Sequence, residues 1–416
     1  MKLVFILPPS PWLMSDRDQP FLGALYVIAY VKYWGYEVQV CDLSGLPEEY
    51  WHIPVGDVYG ITGTTPHFPY MKKIIDKLKD REPHKKVVVG GVHASVLPNH
   101  ILQNTKADIC VVGEGESVML DIMNDDSNGN KIVKGKPFED LDFLPFPDRN
   151  SIDYYDYLIP QTYKYLISKT KEASIITGRG CPYNCSFCAS NKLYRNKVRF
   201  RSATNVYYEL RDLKNDYDIG MCNFVDDTFI LNKRRVREIC DKVKHLDIKW
   251  FFLTRVDHVD YDLFVKMREA GCISVTFGFE SGSNKVLKGI RKNTTVEEAY
   301  NAIDIAKRAG FKIRGQLMVG MPFETDQDVE ATAEFIRKAN KVDKFGLHVF
   351  QPYPGCDVWE NPSRYGWKID KDTNFDKYHT IGKPEARLTD DNKIWNWYNY
   401  LKSVIGQRSI DKEIME

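Results

Sequence analysis

Three cysteines, Cys181, Cys185 and Cys188, stand in the segment TGRGCPYNCSFCAS with three and then two residues between them, and no fourth cysteine follows at a neighbouring metal-ligand spacing. A structural zinc ion is closed by four protein ligands, whereas a 4Fe–4S cluster held by three thiolates keeps one iron open to a small molecule. The triplet therefore points to chemistry at an open iron. The alternative is a zinc loop completed by a distant His or Cys. Pro182 and Asn184 oppose helix formation inside the loop, so the three sulfurs can converge on one centre.

The elements that must position this loop are legible on both sides of it. The β-branched run SII precedes Thr177, Gly178, Arg179 and Gly180, so the cysteines begin where a strand ends. From Ala173 to about Pro352, strands are expected near 174–177, 222–225, 250–253, 274–279, 312–318 and 345–350. Amphipathic helices alternate with them; one of these, TTVEEAYNAIDIAKRAG, ends at Gly310 as a C-cap. Six strand–helix units imply a partial (β/α)6 TIM-type barrel, with chemistry at the carboxyl ends of the strands. From Met1 to about Met123 a second alternation places strands at 2–7, 37–42, 57–63, 86–90 and 107–112, as in a doubly wound parallel sheet. Gly90–Gly91 and Gly113–Glu114–Gly115 fall just after strands, where such sheets bind ligands.

The fold class is thus α/β, divided as 1–128 (a Rossmann-type domain), 129–170 (a turn- and proline-rich linker containing part of DDSNGN and FEDLDFLPFPDRN), 171–352 (the barrel) and 353–416 (an aromatic-rich capping region). The 416 residues carry 58 basic and 57 acidic side chains, so bulk charge gives no argument for nucleic acid or an anionic membrane. The longest apolar run, ALYVIAYV, is too short to span a bilayer. Reactive cysteines in a chain with nine in all fit a reducing compartment, and the expected location is the cytoplasm.

The cysteine segment resembles the signature of the radical S-adenosylmethionine (SAM) superfamily, Phe187 matching the aromatic of C-x3-C-x-aromatic-C. The resemblance continues in order through VDDTF (225–229), RVD (255–257), GFESGS (278–283) and RGQLMVGMPFET (314–325). It implies a 4Fe–4S cluster on Cys181, Cys185 and Cys188, and SAM on the open iron, cleaved by an electron to methionine and a 5′-deoxyadenosyl radical. Asp227 and Glu280 are then candidates for the SAM amine or ribose, and Arg255 and Arg314 for its carboxylate. For each, the alternative is an ion pair inside the barrel. The first half resembles the cobalamin-binding domain of one radical SAM subgroup, through Pro8–Pro9, DVYGITGTT, GGVHAS and VVGEGES. That implies cobalamin held near Thr62, Thr64, Gly90, Gly91, His93, Ser95, Gly113, Glu114 and Gly115. No D-x-H-x-x-G occurs, so the cobalt's lower ligand is unassigned. His67 is a candidate for the lower face, a surface or turn histidine being the alternative.

Cys356 stands in PYPGCD where relatives commonly show PYPGT, making it a candidate hydrogen-atom donor or, alternatively, a buried inert thiol. Cys41, Cys110, Cys222, Cys240 and Cys272 read as core residues. The aromatic segment KIWNWYNYLK is expected either to line a pocket or to pack. The expected activity is radical SAM chemistry with cobalamin, most simply methyl transfer to carbon, on a small-molecule, peptide or lipid substrate and with a flavodoxin- or ferredoxin-like electron donor. Rearrangement, cyclisation or oxidation is the alternative outcome, and a non-catalytic sensor the alternative class.

Overall fold

β-Branched runs make the first sheet. In β1 (Lys2–Leu7) and β4 (Lys86–Gly90) near-continuous Val, Ile, Leu and Phe, and in β3 (Val58–Thr62) Val58, Tyr59, Gly60 and Ile61, are buried on both faces, as parallel strands covered by helices require. With β2 (Glu37–Asp42), β5 (Ile109–Val112) and β6 (Ile132–Lys134) they form a parallel six-stranded sheet in the order β2-β1-β3-β4-β5-β6. Chain order reverses between β1 and β3, which opens a crevice at their carboxyl ends. Helices α1 (Leu22–Tyr33), α2 (Phe68–Arg81), α3 (Gly91–Val96), α4 (Pro98–Asn104) and α5 (Glu116–Met123) complete the crossovers. Strand β6 falls in the stretch read as linker, and GGVHAS runs from the end of β4 into α3.

The structure, a computed structural model, describes residues 1–13, 15–124, 131–158, 170–371, 375, 378 and 391–415. The DDSNGN segment and residues 159–169 of the expected linker lie outside them. The chain divides into two compact units, one mainly of residues 1–173 and the other mainly of 174–371 with the C-terminal helix.

The second unit is built on β7 (Glu172–Ile175), β10 (Met221–Phe224), β11 (Lys249–Thr254), β12 (Cys272–Glu280), β13 (Lys312–Val319) and β14 (Lys344–Val349), in the order β14-β13-β12-β11-β10-β7. This is the arrangement of a partial barrel, its pairs from β10 to β14 parallel. A short ribbon of β8 (Gly178–Arg179) and β9 (Arg199–Phe200) brackets the cysteine loop and α6 (Ser190–Tyr194). The remaining helices are α7 (Ala203–Tyr217), α8 (Lys233–Val243), α9 (Tyr261–Glu269), α10 (Asn284–Gly289), α11 (Val296–Arg308), α12 (Asp326–Lys338), α13 (Asp357–Glu360) and α14 (Asp391–Met415).

The two faces of this sheet differ in chemistry. Phe277, Phe279, Ile313, Leu317 and Phe345 pack beneath helices, and Gly315 leaves the space that the Phe279 and Phe345 rings fill, since a Cβ there would sit 2.5 Å from one ring. Phe224, Trp250, Phe252, Phe264 and Phe311 extend this core. Burying each such side chain contributes about 1.5–3 kcal/mol. On the other face Thr276, Arg314, Gln316, Met318 and His348 are only half-buried. The aromatic helix α14 packs on α12 and the edge strand β14, with Trp397 donating to Asp326 at 2.7 Å. Of the two expected roles it takes packing, shielding a sheet edge.

Candidate active site

Four sets of contacts shape the cysteine loop. At its start the Thr177 backbone N–H donates to Asp226 Oδ1 at 2.6 Å and its hydroxyl to Asp226 Oδ2, while Arg235 donates to the Thr177 carbonyl at 2.7 Å. In its middle the Ser186 N–H and hydroxyl both reach the Ile290 carbonyl, at 2.9 and 3.1 Å, and the Ser186 carbonyl accepts from Val358 at 3.1 Å. At its end the Ser190 N–H points at Cys188 Sγ, 3.5 Å away. Beside it lies Arg255, which is buried and stacked on the Tyr183 ring, 3.7 Å from its centroid. The guanidinium grips Asp257 by two nitrogens at 3.0 and 2.8 Å, donates to the Lys292 carbonyl at 2.7 Å and points Nη1 at Cys185 Sγ at 3.7 Å.

All nine cysteines are free thiols. Among the described residues, no three His, Cys, Asp or Glu meet closely enough to hold a single metal ion. A zinc tetrahedron needs that convergence, whereas cysteines on a four-iron cluster bind different irons. An N–H donor on Cys188 and a guanidinium on Cys185 suit thiolates. Burial pushes the Cys181 and Cys185 thiols above their ordinary range, so a bound iron would supply the deprotonation. The loop fits a three-thiolate cluster.

Next to the loop, β12 ends in a strained turn. Glu280 has φ +67° and follows a register shift after Gly278. A left-handed conformation at a non-glycine residue beside a bulge is a hallmark of functional sites. Its carboxylate folds back over Gly278, where a Cβ would lie 2.4 Å from Oε1, and accepts from buried Lys292 at 2.8 Å. The Lys292 ammonium also lies 5.8 Å from the Phe187 ring centroid. Asp227, after β10, is exposed and accepts from Ser190. Thus Phe187, Asp227, Arg255 and Glu280 gather around the cysteine loop. Arg314 lies lower on β13, level with Thr276 and Lys344.

In the first unit, the expected ligand residues assemble at the carboxyl ends of β3, β4 and β5. Gly91 has φ +89° and lies so close to β3 that a Cβ would sit 2.5 Å from Thr62 Oγ1 and 2.8 Å from Gly63. Ser95 ties this turn to the next loop, donating to the Gly91 carbonyl at 2.8 Å and accepting from Gly113 at 3.0 Å. Thr64, Gly113, Glu114 and Gly115 line the same ends at least partly exposed, leaving a glycine-walled cradle beside the switch point that fits a bulky ligand. His67 is not a surface residue: it is buried, its Nδ1 accepts from the Thr64 N–H at 3.0 Å, and its Nε2 lies 2.9 Å from Ser10. Both nitrogens are thus bonded to protein groups, Nδ1 within the turn and Nε2 to distant Ser10, and burial holds its pKa down at about 3. His93 is fully buried against Phe68, His100 and Phe375, with Nδ1 3.3 Å from Thr65 and Nε2 unpartnered.

Comparison with known proteins agrees with this geometry. Residues 175–336 match the radical SAM superfamily and residues 15–122 the B12 binding domain. An uncharacterized methyltransferase of Pyrococcus horikoshii is 30% identical over 391 residues, covering 86% of this chain and 83% of that one. The chain belongs to the radical SAM superfamily, in the subgroup with an N-terminal B12-binding domain. The anaerobic magnesium-protoporphyrin IX monomethyl ester cyclase of Rubrivivax gelatinosus is 28% identical over 359 residues, 79% of this chain and 62% of that one. In fold, the chain is similar to the radical SAM methyltransferase TsrM from Kitasatospora setae, solved with cobalamin and a [4Fe-4S] cluster, with TM-score 0.74, 15% identity, and 97% and 89% of the two chains covered. Its cofactors are accordingly a 4Fe–4S cluster, SAM and cobalamin.

Several residues of the radical SAM domain escaped the sequence. Asp226 rather than its neighbour Asp227 is the buried anchor of the cysteine loop, and adjacent aspartates carry no signal for which one turns inward. Lys292 lies twelve residues beyond Glu280, outside every recognisable motif. The Tyr183 hydroxyl is hydrogen-bonded to His258 Nε2. Glu324, in GMPFET, accepts from the Gly320 and Met321 N–H groups at 2.6 and 3.1 Å, and burial raises its pKa to about 7. Cys356 is wholly buried, its sulfur accepting from the Trp359 N–H at 3.4 Å as the cap of α13, and its pKa is pushed up to about 12. Among the described residues no helix is long and apolar enough to cross a membrane.

Proposed function

We propose that this radical SAM enzyme transfers a methyl group to a carbon atom of a small molecule. The observation that carries the reading is the clamped three-thiol loop beside the strained Glu280, in a chain that also holds a glycine-walled cradle in its B12-binding domain. When bound, the cofactors supply reductive cleavage of SAM to a 5′-deoxyadenosyl radical, abstraction of a substrate hydrogen and delivery of a methyl group. The chain's part is to bind and orient. Cys181, Cys185 and Cys188 hold the cluster and leave one iron free. Glu280, kept in place by Lys292, and Asp227 accept hydrogen bonds from SAM, with Phe187 packed alongside. Thr62, Gly91, Ser95 and Gly113 shape the cobalamin cradle. The half-buried face bearing Arg314, Gln316 and His348 contacts the substrate. We place the domain limits at 1–134, 135–170, 171–352 and 353–416, the first extended past 128 to take in β6. A flavodoxin- or ferredoxin-like protein in a reducing cytoplasm suits the electron demand and the nine free thiols.

The test is anaerobic reconstitution followed by visible spectroscopy, assay for 5′-deoxyadenosine under reduction, and tracing of an isotopic label from the SAM methyl group in metabolite extracts. Label in a product carbon is expected, and absence of both 5′-deoxyadenosine and labelled product refutes the reading. A second reading, ring closure or oxidation without methyl transfer, is favoured by the similarity to the cyclase. It requires 5′-deoxyadenosine with an unlabelled product.

A further inference from the structure

Arg255 has five N–H donors, and four are committed: Nε and one Nη2 hydrogen to Asp257, the other Nη2 hydrogen to the Lys292 carbonyl, and one from Nη1 toward Cys185 Sγ. It is 4% exposed, and the Tyr183 ring covers one face of the guanidinium. Such a group has little left for a carboxylate ligand. Its placement makes it a fixed positive charge against one sulfur, with a counter-charge, Asp257, on the side away from that contact.

We propose that Arg255 and Asp257 act as an electrostatic pair that sets how readily the cluster accepts an electron. The idea rests on the reading of Cys185 as a cluster ligand. Reduction adds one negative charge to the cluster, and a guanidinium 3.7 Å from a ligating sulfur favours the reduced form, while the Asp257 carboxylate opposes it. Arg255 is buried, so salt screens it weakly, whereas Asp257 is exposed and is screened more. Each charge therefore contributes with its own sign, and the net bias depends on their unequal distances from the sulfur. Lys292, whose ammonium is paired with Glu280, adds a second buried cation near the same sulfur.

The experiment is an anaerobic redox titration of the reconstituted, SAM-free protein, followed by electron paramagnetic resonance of the reduced cluster, for wild type and for Arg255→Gln, Arg255→Lys and Asp257→Asn. Iron content and visible absorption establish first that each protein holds its cluster. Failure of the wild type to hold one refutes the cluster reading itself. Given a cluster, Asp257→Asn is expected to raise the reduced-to-oxidised ratio at a fixed ambient potential about tenfold, equivalent to ~59 mV for one electron. Arg255→Gln is expected to lower it by a similar factor, and Arg255→Lys to lie closer to wild type. Loosening of the loop would move both neutralising variants the same way. Shifts of the same sign, or below twofold in both, overturn the proposal. If Arg255→Gln loses its cluster, Asp257→Asn decides the matter: a rise of at least twofold with Arg255→Lys near wild type supports the proposal, and no rise or a fall overturns it.

Discussion

Replacing Gly278 with alanine separates the reading of Glu280 as a ligand-binding carboxylate from that of a packed ion pair. The new Cβ would sit 2.4 Å from Glu280 Oε1 and 3.0 Å from Lys292 Nζ, where ordinary contact begins at 3.4 Å. The backbone of Glu280 is already held at φ +67°, so the carboxylate must rotate away by about 1 Å to restore ordinary contact. That stretches the 2.8 Å contact with Lys292 past hydrogen-bonding range and leaves a buried ammonium unpartnered. Overpacking costs about 1–3 kcal/mol and severing a buried pair about 3–5 kcal/mol. Partial relaxation gives a net destabilisation on the order of 2–4 kcal/mol. Displacing the carboxylate is expected to weaken SAM at least tenfold, a loss of about 1.4 kcal/mol or more. Denaturant titration of the apo-protein measures the first quantity, and calorimetry with SAM on the reconstituted protein the second. Gly23→Ala is the control, because nothing lies within 4 Å of the added methyl in α1, and it is expected to be neutral or slightly stabilising. Wild-type affinity together with a wild-type midpoint in Gly278→Ala would refute the reasoning.

Three further outcomes are expected. Cys356→Ala keeps the wild-type iron content but loses about 1–2 kcal/mol, from the lost helix cap and a small core void, read by denaturant titration. Asp226→Ala frees the Thr177 N–H and hydroxyl and leaves Arg235 without its buried counter-charge, so iron should be stripped by a chelator at least several-fold faster than from wild type. The first unit is expected to be acid-labile. His67 and His93 are held neutral by burial with pKa values near 3 against 6.5 when unfolded, so between those limits the unfolded chain binds more protons and stability falls as pH falls. At ~1.4 kcal/mol per pH unit per histidine, each costs about 2 kcal/mol at pH 5. Urea midpoints that stay flat from pH 7.5 to 5 would contradict this.

The fold was legible because hydrophobic runs and glycine breaks recur along both halves, so every strand of the two large sheets except β6 was expected. Strand β6 has three residues, none fully buried, and offers too little pattern. Within the site, the residues in short motifs were found and their partners were not. Lys292, Ser186 and Asp226 matter because the fold carries them to the loop, a juxtaposition that no local spacing encodes. Arg255 was read from its charge as a candidate for a ligand carboxylate, while its geometry commits most of its donors to protein groups. His67 was open to being a surface histidine because its neighbours are turn formers, yet Ser10, Trp12 and Phe21 enclose it from a distant part of the chain.

The tie between the Ser186 carbonyl and the Val358 N–H has a bearing on biosynthesis. During translation the cysteine loop emerges ~170 residues before the segment that completes its clamp, an interval of roughly 10 to 30 s at common elongation rates. Throughout that interval the three thiols hang on an incomplete sheet, exposed to stray metal and oxygen. Stable delivery of iron and sulfur must therefore wait until nearly the whole barrel has left the ribosome, and a chain stalled before residue 358 is expected to hold its iron poorly.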